Sequence, residues 1–257
     1  MIPKKIHYCW FAPQGRRPQH APQGHGPKHG RGEMPQLALD CMTSWRKYMP
    51  DWEFKLWNED NFDIDSTPYT KEAYAAGKMA FVSDYVRLWA LKQEGGLYMD
   101  VDFEVYKPFD DLLHYHAFAG IEGSKHQPVM MGVCASEANG EWVTEMLEAY
   151  QDRHFLKADG TPDLTTNVQF ITALMAANGF RQDGTEQDYK DLHVFPVDYF
   201  SPRHTTGEYI RTENTYCEHK GLGSWSENRK GWKGAVLKLV GQKNMTRLIK
   251  LKRRITE

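Results

Sequence analysis

Cysteine is scarce in this chain, and its spacing excludes the folds that depend on it. The 257 residues contain four cysteines, Cys9, Cys41, Cys134 and Cys217, with no C-x-x-C pair among them. A zinc ribbon needs such pairs, and a small disulfide scaffold needs a denser set of cysteines. We therefore expect reduced thiols in one large domain, with at most a small appendage, whose own core is sufficient.

Long hydrophobic runs are also missing. No segment approaches the roughly 20 apolar residues of a membrane-spanning helix. Lys4 and Lys5 follow Met1 without the apolar stretch of a secretory leader, so the sequence predicts a cytoplasmic protein. A G-x-x-x-x-G-K-[ST] loop is absent as well, which disfavours P-loop phosphotransfer chemistry.

Net charge is small, at −2, but it is unevenly distributed. Residues 229–254 contain ten Lys and Arg residues and no acidic residue, interleaved with apolar side chains. A basic amphipathic helix of this kind can lie on an anionic bilayer. An ordinary solvated helix and a nucleic-acid-binding arm are the alternatives. We favour the membrane surface and expect no nucleic-acid partner.

Two carboxylates stand one residue apart, at Asp100 and Asp102, after a glycine pair and a short apolar run. Residues 97–101 predict a buried strand, along which side chains alternate, so both carboxylates would point the same way. Hard oxygen ligands of this kind suit Mg²⁺ or Mn²⁺, and such a site can hold a diphosphate. On the motif alone, a solvated D-x-D in a turn is the alternative.

The segment before these carboxylates predicts a helix. Apolar residues recur at helical spacing over residues 81–94, whereas Ser83, Asp84 and Arg87 lie together on another side. An exposed ion pair between Asp84 and Arg87 would contribute roughly a few tenths of a kcal/mol. Because the helix runs directly into the carboxylate segment, its polar side can instead bind sugar hydroxyls and stabilise a leaving phosphate.

Strands and helices alternate along the chain, which indicates a parallel α/β sheet. Asn167 is a plausible N-cap of the last predicted helix, and a substrate contact is the alternative role for its side chain. Strands are predicted at residues 5–11, 53–57 and 97–101, and helices at 36–48, 70–77, 81–94, 141–150 and 168–178.

Residues 13–35 interrupt this alternation with an insert rich in Pro, Gly, Gln and His. It has too few apolar residues for a packed element, so we expect a mobile loop. Its histidines do not favour a metal site, because low-complexity sequence lacks the groups that orient metal ligands. The functional interpretation is that this loop lies near the donor pocket and acts as a lid over it or as a clamp on the acceptor.

Taken together, the motifs resemble glycosyltransferase family 32, the DXD sugar transferases. Several spaced motifs in the same order are far more specific than one. The resemblance covers roughly residues 1–12 and 34–228, and the insert is its clearest departure. It is carried by the opening at 2–11, the segments at 41–45 and 50–52, S-D-x-x-R at 83–87, G-G-x-Y-x-D-x-D at 95–102, and the segments at 164–168, 199–202, 213–216 and 219–225.

The resemblance implies a GT-A type fold, a Rossmann-like nucleotide-sugar-binding domain with a mixed central sheet over residues 1–228. The basic helix of residues 229–257 would follow it and attach the protein peripherally to the inner face of the membrane. The implied activity is retaining, metal-dependent transfer of a hexose or N-acetylhexosamine from a nucleotide sugar, a UDP-sugar above all. The acceptor would be a glycan or a lipid-linked molecule in capsule or lipopolysaccharide synthesis. The implied cofactor is Mn²⁺ or Mg²⁺.

The resemblance also assigns roles to particular residues. Asp84, Arg87, Asp100 and Asp102 would form the catalytic set, with His219 joining Asp100 and Asp102 at the metal. Where the family pattern has a second histidine, this chain has Lys220, which offers a cation for phosphate. The implied donor contacts are Trp10 against the base, Ser83, Tyr98, Asn167, Ser224 and Trp225. On the sequence alone, a structural histidine at His219 and a core tryptophan at Trp10 are the alternatives.

Two other classes of protein are compatible with the motifs. A metal-dependent nucleotide-sugar hydrolase could use the same carboxylates. A noncatalytic protein that binds anionic glycans or membranes would explain the basic tail but not the ordered motifs. Metal-dependent turnover separates an enzyme from a binding protein, and sugar transfer to an added acceptor separates a transferase from a hydrolase.

Overall fold

The structure is a computed structural model that describes residues 1–12, 34–123, 127–202 and 209–221. The predictions for the insert, apart from its last two residues, lie outside this range, as do those for Ser224, Trp225 and the basic tail. In the described residues, no helix is long and apolar enough to cross a bilayer. The four cysteines are free and buried.

A seven-stranded sheet forms the centre of the described fold, together with a separate two-stranded ribbon. The strands are β1 (Lys5–Cys9), β2 (Glu53–Trp57), β3 (Gly96–Met99), β4 (Phe103–Val105), β5 (Ala117–Ile121), β6 (Val129–Ser136), β7 (Gln187–Tyr189), β8 (Leu192–Phe195) and β9 (Cys217–His219). The helices are α1 (Gln36–Tyr48), α2 (Pro68–Ala75), α3 (Met79–Glu94), α4 (Glu141–Glu148), α5 (Asn167–Ala177) and α6 (Val197–Phe200).

The central sheet has the order β2-β1-β3-β6-β5-β8-β7 and is mixed. Strand β1 runs parallel to β2 and β3, and β5 runs parallel to β8. Strand β6 lies antiparallel to both β3 and β5, and β7 antiparallel to β8. The predicted α/β class with a mixed central sheet is confirmed. The parallel sheet expected from the alternation is wrong, because β6 follows β5, and β8 follows β7, without a crossover helix.

The core lies between this sheet and the helices that pack on it. Strands β3 and β5 are buried at every residue, and α3 packs on β1, β3 and β6. The buried side of α3 includes Val82 and Leu88, which join the same core cluster. Each such side chain contributes on the order of 1.5–3 kcal/mol when it is fully buried. The helix that carries Asp84 and Arg87 is therefore firmly anchored.

The glycine pair before β3 is required by the backbone. Gly95 and Gly96 have φ angles of 63° and 117°, a region that residues with a side chain rarely adopt. A Cβ atom at Gly96 would lie 2.7 Å from the carbonyl oxygen of Lys5 on β1. These residues let α3 end and β3 begin against β1 without a connecting loop.

Strand β3 ends at Met99, two residues before the end of the predicted strand. The chain turns there, and the Phe103 N–H donates to the Asp100 carbonyl at 3.2 Å. Asp100 and Asp102 therefore lie in the turn between β3 and β4. The expectation that strand alternation aligns the two carboxylates is wrong, and the turn determines where each one points.

Candidate active site

The carboxyl ends of several parallel strands meet at one edge of the sheet. Because β6 is antiparallel to both β3 and β5, those two strands run in the same direction as β1. Trp10 follows β1, Asp100 follows β3 and Glu122 follows β5. Open α/β sheets commonly bind ligands at this edge. The predicted site residues lie where the topology favours a site.

Arg87 is the centre of a buried ion-pair network. The residue is 5% exposed, and its Nη2 donates to Asp84 Oδ1 at 2.8 Å. The same Nη2 lies 3.6 Å from Asp100 Oδ1, and Nη1 donates to the Met131 carbonyl of β6 at 2.6 Å. An exposed ion pair on a helix surface is thereby excluded. One guanidinium links the helix carboxylate to the first carboxylate of the D-x-D segment.

Tyr98 supports this network from behind. Its hydroxyl donates to Asp100 Oδ1 at 2.7 Å, and the Arg87 guanidinium lies 4.6 Å from the centre of its ring. Tyr98 is only 1% exposed. The structure therefore places it behind Asp100 and not on the surface that a donor would contact, which departs from the role implied by the resemblance.

Burial and charge shift the pKa values of these groups in opposite directions. Burial raises the pKa of Asp84 to about 6, while the charge of Arg87 opposes this shift. Burial also raises the pKa of Asp100, again against Arg87. For Arg87 itself, burial favours the neutral form, but Asp100 and the other anionic groups outweigh burial and hold its pKa well above the usual value. The guanidinium is a permanent positive charge at this site.

Asp102 pairs with a histidine from the far end of the described chain. Asp102 is 7% exposed, and its Oδ2 accepts a hydrogen bond from His219 Nε2 at 3.0 Å. Strands β4 and β9 pair so that Phe103 lies opposite His219, and the two rings stack at 4.8 Å. Burial lowers the pKa of His219, but the hydrogen bond and charge of Asp102 outweigh burial and raise it. The structure thus brings the predicted histidine to the D-x-D turn.

The donors at this turn fit a divalent metal that takes further ligands from a substrate. Asp100, Asp102 and His219 supply carboxylate oxygens and an imidazole nitrogen, which suit Mn²⁺ or Mg²⁺. A Cβ atom at Gly132 would lie 3.0 Å from Asp100 Oδ2, so bare backbone on β6 makes room beside that carboxylate. Among the described residues, no three such side chains form a metal cluster by themselves. A diphosphate would have to complete the coordination.

Asn167 does not cap α5. Thr166 is the N-cap, because its hydroxyl accepts from the Gln169 N–H while the Gln169 side chain bonds back to the Thr166 backbone. Asn167 is the first residue of the helix, is 2% exposed, and donates from Nδ2 to the Asp84 carbonyl at 2.8 Å. The predicted N-cap role is wrong. The side chain instead ties α5 to the helix that carries Asp84 and Arg87.

Three further residues with a predicted donor contact, Ser83, Trp10 and Lys220, are among those that the structure describes. The Ser83 hydroxyl donates to the Met79 carbonyl within α3 at 3.2 Å. Trp10 is half-buried beyond the end of β1. Lys220 is already engaged, because its Nζ lies 2.6 Å from Glu104 Oε2 and 3.3 Å from Glu218 Oε2. A contact between Lys220 and phosphate would therefore compete with these two ion pairs.

Two residues that the sequence did not single out lie near this site. Glu122 follows β5 at the same edge of the sheet, and burial raises its pKa while His219 acts in the opposite direction. Arg153 lies beyond α4, and its charge lowers the pKa of Asp84 slightly. No motif marks either residue. The available signal for Glu122 was its position directly after a short apolar strand.

Comparisons with known proteins agree with this geometry. The family model described as the glycosyltransferase sugar-binding region containing the DXD motif matches residues 35–119, which include Asp84, Arg87, Asp100 and Asp102. The chain is 34% identical over 80 residues to glucan organizing enzyme 1 of Cryptococcus neoformans, a match that covers 28% of this chain and 22% of that protein. It is 26% identical over 130 residues to inositol phosphoceramide mannosyltransferase 3 of Schizosaccharomyces pombe, covering 46% of this chain and 29% of that protein.

Among solved structures, PaToxG glycosyltransferase overlaps 69% of each chain with a TM-score of 0.45 and 14% sequence identity. The matches to the curated relatives cover less than a third of each relative's length. The family match confirms the resemblance that the motifs indicated. Residues 35–119 of the chain are thus similar to the DXD-containing sugar-binding region of glycosyltransferases.

Proposed function

We propose that this protein is a metal-dependent, retaining glycosyltransferase. It moves a hexose or N-acetylhexosamine from a nucleotide sugar, a UDP-sugar above all, to a glycan or lipid-linked acceptor of a surface polysaccharide. The observation that carries this proposal is the buried network in which Arg87 joins Asp84 to Asp100, beside the pair of Asp102 and His219. Asp84, Arg87, Asp100 and Asp102 lie within the matched sugar-binding region. His219 lies outside that region and joins the site through its pair with Asp102.

In this proposal, the D-x-D turn holds the donor diphosphate. Asp100, Asp102 and His219 would hold Mn²⁺ or Mg²⁺, which when bound stabilises the negative charge on the leaving diphosphate. Tyr98 keeps Asp100 in place through its hydrogen bond to Oδ1. The stacking of His219 on Phe103 likewise fixes the imidazole plane. Both ligand groups are therefore oriented before a donor arrives, which lowers the entropic cost of binding.

Asp84 and Arg87 would orient the donor sugar. The Asp84 carboxylate accepts from Arg87 and from the backbone N–H of Asn167, and its remaining lone pairs can accept from a sugar hydroxyl. The fixed positive charge of Arg87 stabilises negative charge that develops near Asp100. Trp10, beyond the end of β1, would stack on the base and contribute roughly 1–3 kcal/mol if it does so. Ser224 and Trp225, outside the described residues, remain proposed contacts to the diphosphate.

Retention of configuration would follow from front-face displacement. In that course the acceptor oxygen attacks the anomeric carbon from the side on which the diphosphate leaves, and the leaving phosphate takes the acceptor proton. The protein then needs to position the donor and stabilise charge, which is what the Arg87 network is suited to do. No covalent nucleophile is assigned.

The decisive experiment is a donor screen. Purified protein is incubated with a panel of nucleotide sugars and Mn²⁺, Mg²⁺ or a chelator, and nucleotide release is measured with and without glycan acceptors. We expect metal-dependent release from one donor that an acceptor accelerates, and a product with the donor's anomeric configuration by NMR. Nucleotide release that no acceptor accelerates, with no transfer of the sugar to an acceptor, would favour the hydrolase.

The Asp102→Asn variant supplies the internal control for this screen. It removes a ligand charge but keeps the shape of the side chain, so the fold should persist while turnover is lost. Asp65→Asn is the matched control, since Asp65 is exposed and pairs only with the exposed Lys71 among its described ion pairs. Near-normal Mn²⁺-dependent turnover in folded Asp102→Asn would contradict the metal assignment.

We also propose that residues 229–257 attach the enzyme to an anionic membrane surface on its cytoplasmic side. The support is the uniform positive charge of this segment and its interleaved apolar residues. A lipid-linked acceptor would then be presented at the same surface.

A further inference from the structure

Unpartnered polar atoms gather at one place behind the catalytic helix. Across the described ranges, six buried side-chain nitrogen or oxygen atoms lack a hydrogen-bond partner. Four of them belong to Tyr69, Tyr150, Arg153 and Asn167, which we call the internal polar cluster. Burying a polar group without a partner is costly, and nearly all such groups in native proteins are paired. Four in one place indicate a common partner.

Three members of the cluster, Tyr69, Tyr150 and Arg153, are in contact although Tyr69 lies far from the other two in sequence. The rings of Tyr69 and Tyr150 lie edge to face with their centres 5.0 Å apart. The guanidinium carbon of Arg153 lies 5.0 Å and 5.2 Å from those two ring centres. Arg153 Nη2 is bonded to Asp163 and to the Thr165 carbonyl, so Nη1 is the group left without a partner.

The cluster adjoins Asp84. Asn167 donates from Nδ2 to the Asp84 carbonyl, and its Oδ1 is the unpartnered atom. Burial raises the pKa of both Tyr69 and Tyr150, and the charge of Asp84 raises it further; the charge of Arg153 lowers it, and so, for Tyr69, does the neighbouring Tyr150 hydroxyl. The two hydroxyl groups are therefore within electrostatic reach of the Asp84 carboxylate.

The chemistry of the four atoms is complementary to water. The tyrosine hydroxyls can donate or accept, Asn167 Oδ1 only accepts, and Arg153 Nη1 only donates. A buried water typically makes about three hydrogen bonds to such groups. A sugar cannot enter this position from solvent without a rearrangement, because Tyr69 and Tyr150 are fully buried and Asn167 is 2% exposed.

We propose that the internal polar cluster binds ordered water, and that this hydrated site positions Asp84 by joining α2, the segment after α4 and the start of α5 to α3. The positioning role rests on the proposed function. The hydration does not, so the two parts can fail separately. Tyr69, Tyr150 and Arg153 are positioning residues in this account, since they act on the donor only through Asp84.

A crystal structure of the full chain at a resolution that shows ordered water tests the site directly. We expect at least one water within hydrogen-bond distance of the Tyr150 hydroxyl and Asn167 Oδ1. A cluster whose side chains bond to one another with no water between them would overturn the proposal.

Hydroxyl deletion tests the energetics. Tyr69→Phe and Tyr150→Phe should each lower Tm by roughly 2–4 °C if the hydroxyl bonds to water, whereas deleting an unpartnered hydroxyl would leave Tm unchanged or raise it. Tyr85→Phe is the matched control, because its ring lies 5.8 Å from that of Tyr150 and burial alone raises its pKa. The double variant Tyr69→Phe/Tyr150→Phe should lower Tm by less than the sum of the two single decreases, since both hydroxyls share one solvent site.

Kinetics test the positioning role. Tyr150→Phe should lower kcat roughly tenfold with little change in donor KM, because a small misplacement of Asp84 affects the reacting geometry more than ground-state binding. Unchanged kcat with a lowered Tm would overturn the positioning role and leave the hydration intact. If the wild-type protein shows no turnover, the proposed function fails, and the crystal structure and Tm series still decide the hydration.

Discussion

At the scale of single residues, Arg87 is buried at a position that requires several hydrogen-bond donors at once. Its guanidinium makes hydrogen bonds in three directions, to the Met131 carbonyl, Asp84 and the Ser83 carbonyl. These three bonds come from three separate nitrogens of a planar fork, whereas the three donors of an ammonium group all start from one nitrogen. Because the network is buried, removing either charge leaves the other without a partner. Alanine substitutions there would mix loss of fold with loss of chemistry, so isosteric or charge-preserving changes are the informative ones.

We predict that Arg87→Lys lowers kcat/KM by roughly 100-fold or more, since one fixed donor near developing charge is worth about that much. The variant should also lose stability, because the lysine cannot reach all three partners. Arg181→Lys provides the comparison, as Arg181 pairs with Asp183 on the surface with its side chain 59% exposed. That change should cost less than about 1 kcal/mol. Donor turnover and urea unfolding of both variants give the answer, and equal effects at the two positions would contradict a special role for Arg87.

Glu122 permits a test of the reaction course. It is the carboxylate that follows β5 at the site edge, so it is the natural candidate if a covalent sugar intermediate forms. Under front-face displacement, Glu122→Gln should keep kcat within roughly tenfold of wild type, because the glutamine preserves size and polarity. A covalent nucleophile would instead lose several orders of magnitude on this change. Trapping a glycosylated enzyme by mass spectrometry would contradict the proposed course directly.

At the scale of elements, the sequence predicts regular segments well and turns poorly. Helix α1 and strand β2 occupy the predicted residues 36–48 and 53–57, because their apolar periodicity continues to their ends. The D-x-D segment was predicted as the end of a strand, and the structure turns at Asp100. After the turn, β4 pairs with β9, more than 100 residues later, and local periodicity cannot indicate that pairing.

The capping of α5 shows the same limit on a smaller scale. Thr166 and Asn167 are both good N-cap residues, and the choice between them depends on which side chain finds a tertiary partner. Gln169, three residues after Thr166, completes a capping box there. The sequence contains that signal. It contains no signal for the hydrogen bond from Asn167 to the Asp84 carbonyl, which occupies the side chain that would otherwise cap the helix.

His7 joins three elements and should make the sheet sensitive to acid. Because Trp57 Nε1 can only donate, His7 Nδ1 accepts from it at 3.0 Å, and Nε2–H donates to the Gly95 carbonyl at 2.8 Å. The ring is therefore neutral. Burial lowers its pKa from 6.5 to about 4. The stability that this arrangement contributes is fully present above pH 6.5 and is lost as pH falls towards 4, because the unfolded state binds the proton first.

We predict a loss of roughly 3 kcal/mol from this residue between pH 7 and pH 4. Urea unfolding across that range measures it, with His7→Gln as the variant that cannot titrate. The variant should be less stable at pH 7 and show a flatter dependence on pH. Parallel curves for the two proteins would show that other groups dominate the acid sensitivity.

At the scale of the whole molecule, the order of motifs predicts the DXD resemblance and the α/β class, and it indicates residues that the structure brings together. Asp84, Arg87 and Asp100 meet as that order implied, and so do Asp102 and His219. The antiparallel placement of β6, the support from Tyr98 and the internal polar cluster were not predictable. Each depends on how distant segments pack, which has no signature in a single sequence.

The basic tail gives a prediction about the location of the enzyme. Replacing Lys243, Lys250 and Lys252 with glutamine should weaken binding to phosphatidylserine vesicles by roughly 100-fold, at about 1 kcal/mol per basic residue near the surface. Binding should also weaken as salt screens the charges. Vesicle co-sedimentation at low and high salt measures both effects. Neutral vesicles are the control. Failure of the full-length protein to bind anionic vesicles at low salt would contradict the proposal.

The pairing of β4 with β9 has a consequence for how the enzyme is assembled. Asp102 and His219 are 117 residues apart in sequence, and the loop that joins them must close before they can meet. Contacts of such long range form late, since the chain entropy is lost before the contact stabilises anything. A partly folded molecule could therefore contain the central sheet and the Arg87 network while Asp102 and His219, two of the proposed metal ligands, were still apart. Catalytic competence would be one of the last properties that the folding chain acquires.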